Sequence, residues 1–301
     1  MLKAPDHQVA GHQALDGHLG PLVDDSGCFY KPLQNDERGS KEVAFYEKFI
    51  SLTGIPSRIR RFFPIFHGTK NLEASDGTGM HPHLILEDVV FGCMKPCITD
   101  IKIGSRTWYP GASEDYFQKC ISKDGNSTSV SLGFRVSGLQ VYGSKESDFW
   151  KPNKKIVKSF TPEDVRLVLR RFVSSDVVPG IDKDVTPDCS LASRVYGGSS
   201  GVLAQLSELK EWFEDQTMFH FNSCSVLILY EKDLALRGKS GGAEVKLVDF
   251  AHVVDGNGVI DHNFLGGLCS LKKFISDILT DTNKPLSEAC LPEMDTSADG
   301  L

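Results

Sequence analysis

The chain has 301 residues, 40% of them hydrophobic, with 33 Lys and Arg against 40 Asp and Glu, for a formal net charge of -7. That is long and apolar enough to bury a substantial core in one large domain or two joined lobes, which excludes a disordered polypeptide. The acidic balance excludes a general nucleic-acid binder, and any polyanionic ligand has to be met by a local basic patch.

In chain order, residues 19–33 carry two short apolar pieces around Asp24-Asp25-Ser26-Gly27, which predicts a β-hairpin with Lys31 on its second strand. Lys41 to Leu52 places Val43, Ala44, Phe45, Phe49 and Ile50 at helical spacing, with Ser40 as cap and Glu42 in the first turn. Phe62 to His67 and Leu84 to Val90 read as strands separated by a polar loop, Lys70 to Gly79. Helices follow at Thr161 to Phe172, capped by Thr161 with Pro162 at its first position, at Ser200 to Gln216 and at Gly267 to Thr280. Polar loops are expected at 143–158, 174–199 and 233–243, and a disordered tail at 284–301.

Cys28, Cys93, Cys97, Cys120, Cys189, Cys224, Cys269 and Cys290 form no CxxC pair and no zinc pattern, and read as reduced thiols. Met1 to Gly20 is polar, and apolar runs such as Val226 to Tyr230 are too short to cross a bilayer, so the chain is expected in the nucleus and cytoplasm, with no transmembrane segment. Trp108, Trp150 and Trp212 are expected to pack in the interior.

Pro96-Cys97-Ile98-Thr99-Asp100-Ile101-Lys102-Ile103-Gly104 alternates functional and apolar side chains, so on a strand Asp100 and Lys102 project from one face. Taken alone, such a pair also suits a surface ion pair. Around it, Lys95, Lys102, Arg106, Lys119, Lys123 and Arg135 face only the acids Asp100, Glu114, Asp115 and Asp124 between Lys95 and Arg135, a locally positive stretch in an acidic protein.

The pattern P-x-x-x-D-x-K-x-G over Pro96 to Gly104 resembles the signature of the inositol polyphosphate kinase family at every fixed position. The resemblance extends through Ser105 to Tyr109, Gly133 to Val136, Ser223 to Leu227, Asp249-Phe250-Ala251-His252 and Asp261 to Leu268, with Val9-Ala10-Gly11-His12 near the start. It covers roughly residues 8–280 and is nearest the plant multikinase branch. It implies an α+β, two-lobed kinase-like fold of the inositol polyphosphate kinase and SAICAR synthase type, with residues 1–87 as small lobe, 88–283 as large lobe and an ATP cleft between them.

The resemblance also implies roles. Lys31 would contact the ATP phosphates and Glu42 would hold it, while backbone groups of Glu87 and Val89 would meet adenine and Asp100 the ribose. Asp249 would hold Mg²⁺ with help from Ser225, although relatives often read S-S-L-L where this chain has Ser223-Cys224-Ser225-Val226-Leu227. Lys102 and Asp249 would be catalytic, Lys102 reaching both inositol phosphate and transferring phosphoryl group. Lys119, Lys123, Arg135 and His252 would surround the remaining substrate phosphates, Arg135 lying on a strand from which it could equally face away. Asp261, Asn263, Gly266 and Gly267 would brace the active-site strand. Only some 28 residues separate Gly104 from Gly133, a short segment that implies an open inositol pocket and points to a multikinase acting at the 3- and 6-positions, with phosphatidylinositol bisphosphate as a further substrate and the chain a monomer. A kinase-fold scaffold for signalling partners is the alternative, and Lys31, Asp100, Lys102 and Asp249 all being present weighs against it.

Overall fold

The structure, a computed structural model, describes residues 1–11, 19–34, 36–145, 148–177, 180, 187–237 and 242–282, so the tail expected at 284–301 lies outside the described residues. The predicted hairpin is β1 (Leu22–Val23) and β2 (Cys28–Pro32). Its turn closes on the Asp24 carboxylate, which accepts hydrogen bonds from Ser26 N (2.9 Å), Cys28 N (3.0 Å) and the Tyr30 hydroxyl (2.7 Å). Helix α1 (Glu37–Ser51) starts a turn earlier than expected, because Asp36 rather than Ser40 caps it, and Ser40 Oγ instead donates to Glu37 O. After α2 (Ser57–Arg60) come β3 (Phe66–Glu73) and β4 (Met80–Glu87). The strand expected from Phe62 begins only after Pro64, which lacks an N–H for the ladder, and it runs on through Glu73, into the first part of the expected polar loop. These strands make one antiparallel sheet in the order β1-β2-β4-β3.

The larger part follows with β5 (Pro96–Ile103), α3 (Glu114–Gly125), α4 (Ser129–Leu132), β6 (Phe134–Tyr142), β7 (Phe149–Trp150), α5 (Lys154–Lys158), α6 (Pro162–Phe172) and α7 (Cys189–Val195). Next come α8 (Val202–Asp215), β8 (Phe219–Phe221), β9 (Ser225–Glu231), α9 (Lys232–Leu236), β10 (Glu244–Val248), β11 (Val253–Asp255) and α10 (His262–Thr282). The loops expected at 143–158, 174–199 and 233–243 thus contain short helices as well. Thr161 caps α6 in a full capping box with Asp164, as the sequence predicts. A second antiparallel sheet, β10-β9-β5-β6-β7, puts the signature strand β5 at its centre, buried along nearly its whole length.

An aromatic cluster joins the parts. Phe45 of α1 stacks on Phe250 at 4.4 Å, Phe49 meets Phe63 at 4.1 Å and Tyr46 meets Phe250 edge-on at 5.3 Å. Each such pair is worth ~1 kcal/mol beyond its burial, so α1 is fixed against the segment that carries Asp249. On the far side, α10 lies so close to β5 and α4 that a side chain at Gly267 would overlap Gly133 O and Gly104 N. Asp261 accepts from Phe221 N (2.6 Å) and Phe264 N (3.0 Å), which starts α10 ahead of the expected Gly267. Asn263 binds Arg106 through both N and O, so the Asp261 to Gly267 motif braces the end of β5, as expected.

Candidate active site

A cleft of about 1030 Å³ lies between the two sheets. Its floor is β5, whose pleat sends Ile98, Asp100 and Lys102 into the opening while Ile101 and Ile103 go to the core. Lys31 enters from β2 and Glu42 from α1. Lys31 Nζ donates to Glu42 Oε1 (2.9 Å) and to Asp249 Oδ1 (2.8 Å), and Lys102 Nζ stands 3.9 Å from Asp249 Oδ2. Residues far apart in sequence therefore meet at one carboxylate.

The backbone is strained where this happens. Asp249 sits at φ 68° and Ser223 at φ 56°, left-handed conformations that a residue with a side chain adopts at a cost of roughly 1–3 kcal/mol. Phe250, fully buried, and the hydrogen bond from Phe250 N to Glu42 Oε1 (3.2 Å) hold Asp249 there. Ser223 turns its carbonyl toward Lys102, which donates to it at 2.6 Å. Burial opposes ionisation of Asp249, but Lys31 and Lys102 outweigh it and keep the carboxyl well below the usual carboxylate range. Burial likewise works against the Lys31 ammonium, and Asp249 and Glu42 overcome it and raise its pKa.

Asp100 differs. Only 6% exposed, it is pushed by burial up to about 6, with the Lys102 charge opposing and Asp249 adding to the rise. Among the described residues its Oδ1 and the Oγ of fully buried Ser225, which lies opposite Lys102 across the β5–β9 ladder, have no hydrogen-bond partner. Such unpartnered buried oxygens beside an ionised carboxylate are acceptors that a hard cation or a ligand hydroxyl satisfies. Among the described residues no three His, Cys, Asp or Glu side chains gather as a metal cage. A divalent ion held by one or two carboxylates, with phosphates and water completing its shell, fits this donor set.

Glu87 and Val89 line the opposite wall, where the chain passes from β4 toward β5. Glu87 N donates to Ile65 O (2.8 Å) and its carboxylate pairs with Lys246 (3.2 Å), so the Glu87 N–H is already taken. Lys119 and Lys123 reach the cleft from α3. Burial, then the charges of Arg135 and Lys102, bring the Lys123 ammonium down to about 8. His252 also lines the cleft, stacked on Tyr109 at 5.0 Å with its Nε2 3.0 Å from the Tyr116 hydroxyl. Burial, then Arg38 and Lys102, lower it to about 4, so it is a neutral group near pH 7 and not the cation that phosphate binding by charge would use.

Arg135, which the sequence left open between facing the substrate and facing away, stands opposite Lys102 on the β5–β6 ladder, 6% exposed, with Nη1 donating to Asp124 Oδ1 (2.7 Å) and Ser129 Oγ (2.7 Å). Asp124 also accepts from Thr107 N (2.7 Å), so the pair locks α3 to the sheet and thereby aims Lys119 and Lys123. No role was read from the sequence for Tyr116 or Tyr109, which carry no charge to flag them, and the contact Ser223 makes is through its backbone carbonyl, which a side-chain motif does not show.

A lysine bridged to a helix glutamate, a second lysine and a strained aspartate in a cleft between two sheets define a phosphotransferase site of kinase type. Residues 83–276 match the inositol polyphosphate kinase family. The chain is 58% identical over 291 residues to inositol polyphosphate multikinase beta of Arabidopsis thaliana, covering 94% of this chain and 96% of that protein. It is 51% identical to the rice multikinase, Oryza sativa subsp. indica, over 95% of this chain and 97% of that one. A solved inositol phosphate multikinase shares 51% identity with a TM-score of 0.67, covering 79% of this chain and 99% of its own. The Saccharomyces cerevisiae multikinase, solved with ADP and Mn²⁺, has the same fold at 21% identity, with a TM-score of 0.63 over 84% of this chain and 99% of its own. The chain belongs to the inositol polyphosphate kinase family and is an inositol phosphate kinase.

Proposed function

We propose that the chain moves the γ-phosphoryl group of ATP, with Mg²⁺, to the 3- and 6-hydroxyls of inositol 1,4,5-trisphosphate and tetrakisphosphates, giving inositol 1,3,4,5,6-pentakisphosphate. The observation that carries this is the convergence of Lys31 and Lys102 on Asp249, with Lys119 and Lys123 on the same cleft. Phosphoryl transfer requires placement and neutralisation of charge more than covalent chemistry.

In this reading Lys31, held by Glu42, contacts the ATP phosphates. Val89 supplies the amide that a purine meets, since the Glu87 N–H is spent on Ile65, and Glu87 contributes no donor. Asp100 accepts from the ribose hydroxyls. Asp249, with Ser225 nearby, would hold Mg²⁺, which would supply charge neutralisation for the phosphates. Lys102 leaves Ser223 O to follow the transferring group, and Lys119 and Lys123 orient the inositol ring, with Tyr116 and neutral His252 hydrogen bonding beside it. The short Gly104–Gly133 segment keeps the pocket open, which supports several acceptor hydroxyls and a phosphatidylinositol bisphosphate headgroup. We further assign a monomer working in nucleus and cytoplasm; no described helix is long and apolar enough to cross a membrane.

The test is direct: purified protein, ATP, Mg²⁺ and inositol 1,4,5-trisphosphate, with products resolved by ion-exchange chromatography. Sequential appearance of 1,3,4,5- or 1,4,5,6-tetrakisphosphate and then the pentakisphosphate is expected. A single tetrakisphosphate that is never consumed overturns the multikinase assignment.

A further inference from the structure

The segment before Gly11 is absorbed by none of the roles above, yet Pro5 and residues 7–11 form part of the cleft wall. Its course crosses the lobes. Lys3 forms a two-bond antiparallel bridge with Val23 in the small-lobe hairpin, Lys3 N to Val23 O (3.0 Å) and Val23 N to Lys3 O (2.8 Å). A few residues on, it is seated on the large-lobe sheet. His7 Nδ1 lies 3.2 Å from Gln140 Nε2 on β6, and Lys154 Nζ donates to Gly11 O (2.6 Å).

Between those points the Val9 carbonyl rests on Gly138 so closely that a methyl group there would overlap it. Gly138 has no left-handed backbone to protect. What requires glycine here is the approach of another chain segment. Gly138 is also the register partner of Asp100, at the bulge in the β5–β6 ladder, so the seat lies beside a residue of the cleft floor, on the same face of the sheet. The same cavity is walled by Glu87 to Val90, the covalent link between the sheets. This crossing adds a tie on the open side of the cleft to those made by the chain itself, by the Phe45–Phe250 stack and by the Lys31–Asp249 and Glu87–Lys246 pairs.

We propose that residues 5–11 act as a strap that closes the nucleotide end of the cleft, pinning the small-lobe hairpin to the large-lobe sheet, with Gly138 as the seat that admits it. The inference rests on the assignment of ATP to the wall formed by Glu87 to Val90. Opening of the cleft stretches the strap between Val23 and Gly138, and seating it removes a bound nucleotide from solvent on a side that the hinge leaves uncovered. The inositol end, built from α3 and β5, is untouched by it.

The experiment is a cycle of four proteins, the full chain, Gly138→Ala, a chain lacking residues 1–10, and the two changes combined, each titrated with ADP and Mg²⁺ by calorimetry and assayed for KM of both substrates. Gly138→Ala and the deletion should each weaken ADP binding by about tenfold or more. KM for ATP should rise in parallel, KM for inositol trisphosphate should stay within about twofold, and the combined protein should bind no worse than the deletion alone. Unfolding midpoints identify a variant that has merely lost its fold, in which case the other arm decides. Unchanged ADP affinity in the deletion overturns the strap, as does a Gly138→Ala penalty that persists in full without residues 1–10. If the full chain itself binds no ADP, the nucleotide assignment falls and takes the strap with it, an outcome distinct from both.

Discussion

At the scale of single residues, the centre depends on one carboxylate gripped by two lysines, and that grip separates folding from chemistry. Asp249→Asn keeps the shape and the left-handed backbone but gives a metal a poor ligand, so turnover should fall on the order of 10³-fold while circular dichroism is unchanged. Near-normal turnover at saturating Mg²⁺ would place the metal elsewhere. Asp100 carries a different load. Its folded pKa, about 6, lies above its ordinary 3.8, so between those values the folded chain binds the proton more readily than the unfolded chain, and stability falls as pH rises through the window. At about 1.36 kcal/mol per unit, keeping Asp100 charged above that window costs on the order of 3 kcal/mol. Asp100→Asn removes the cost, so in metal-free protein its unfolding midpoint relative to wild type should climb by several degrees between roughly pH 4 and pH 7.5. A difference that stays flat over that range means that Asp100 ionises freely. The same substitution should weaken nucleotide binding, stability and function pulling in opposite directions at one side chain.

At the scale of elements, what could be read from sequence was whatever repeats with a period or carries a cap. The hairpin, α6 with Thr161, and β5 with its alternating Asp100 and Lys102 were legible because local geometry decides them. The start of α1 was not, since Ser40 and Asp36 compete as caps and only the packed helix chooses. Lys31, Glu42, Lys102 and Asp249 could be named from motifs, but their meeting depends on Phe45 and Phe250 stacking across the chain, a tertiary contact with no local mark. The Asp124 partner of Arg135 was not legible, because a strand pattern shows which face a side chain takes and not which partner reaches it. The elements also divide the labour. Lys102 stands on β5 beside Asp249, whereas Lys119 and Lys123 stand on α3, which is locked behind by Asp124 and Arg135. Lys102→Ala should therefore lower kcat by roughly 10²–10³-fold, and Lys119→Ala with Lys123→Ala should raise KM for inositol phosphate with kcat less affected. The reverse pattern, kcat lost from α3 and only KM from β5, would exchange the reacting centre and the remote pocket.

At the scale of the whole molecule, two electrostatic effects compete for an anionic substrate. The chain carries a formal charge of -7 and repels a polyphosphate at a distance. At the cleft, Lys102, Lys119 and Lys123 attract it, while His252, held neutral by its surroundings, adds no charge. Range decides between them. Screening length falls from about 10 Å at 0.1 M salt to about 3 Å at 1 M, and contacts at the mouth are shorter than the distances over which the net charge acts. At low ionic strength the net repulsion is felt in the approach, but the bound complex is governed by the lysines, whose attraction salt also weakens. Affinity should thus be dominated by the local cations, and KM for inositol phosphates should rise as salt increases from roughly 0.05 M to 0.5 M. The rise should be steeper for a tetrakisphosphate than for a trisphosphate, since the extra phosphate meets the same cluster. It should flatten when Lys119 and Lys123 are both alanine, because the screened partners are then gone. Steady-state kinetics across that salt series, on wild type and the double variant, is the measurement. A KM that falls with added salt would mean that relief of the overall repulsion outweighs the pocket, and that the basic cluster on α3 contributes little to holding the substrate.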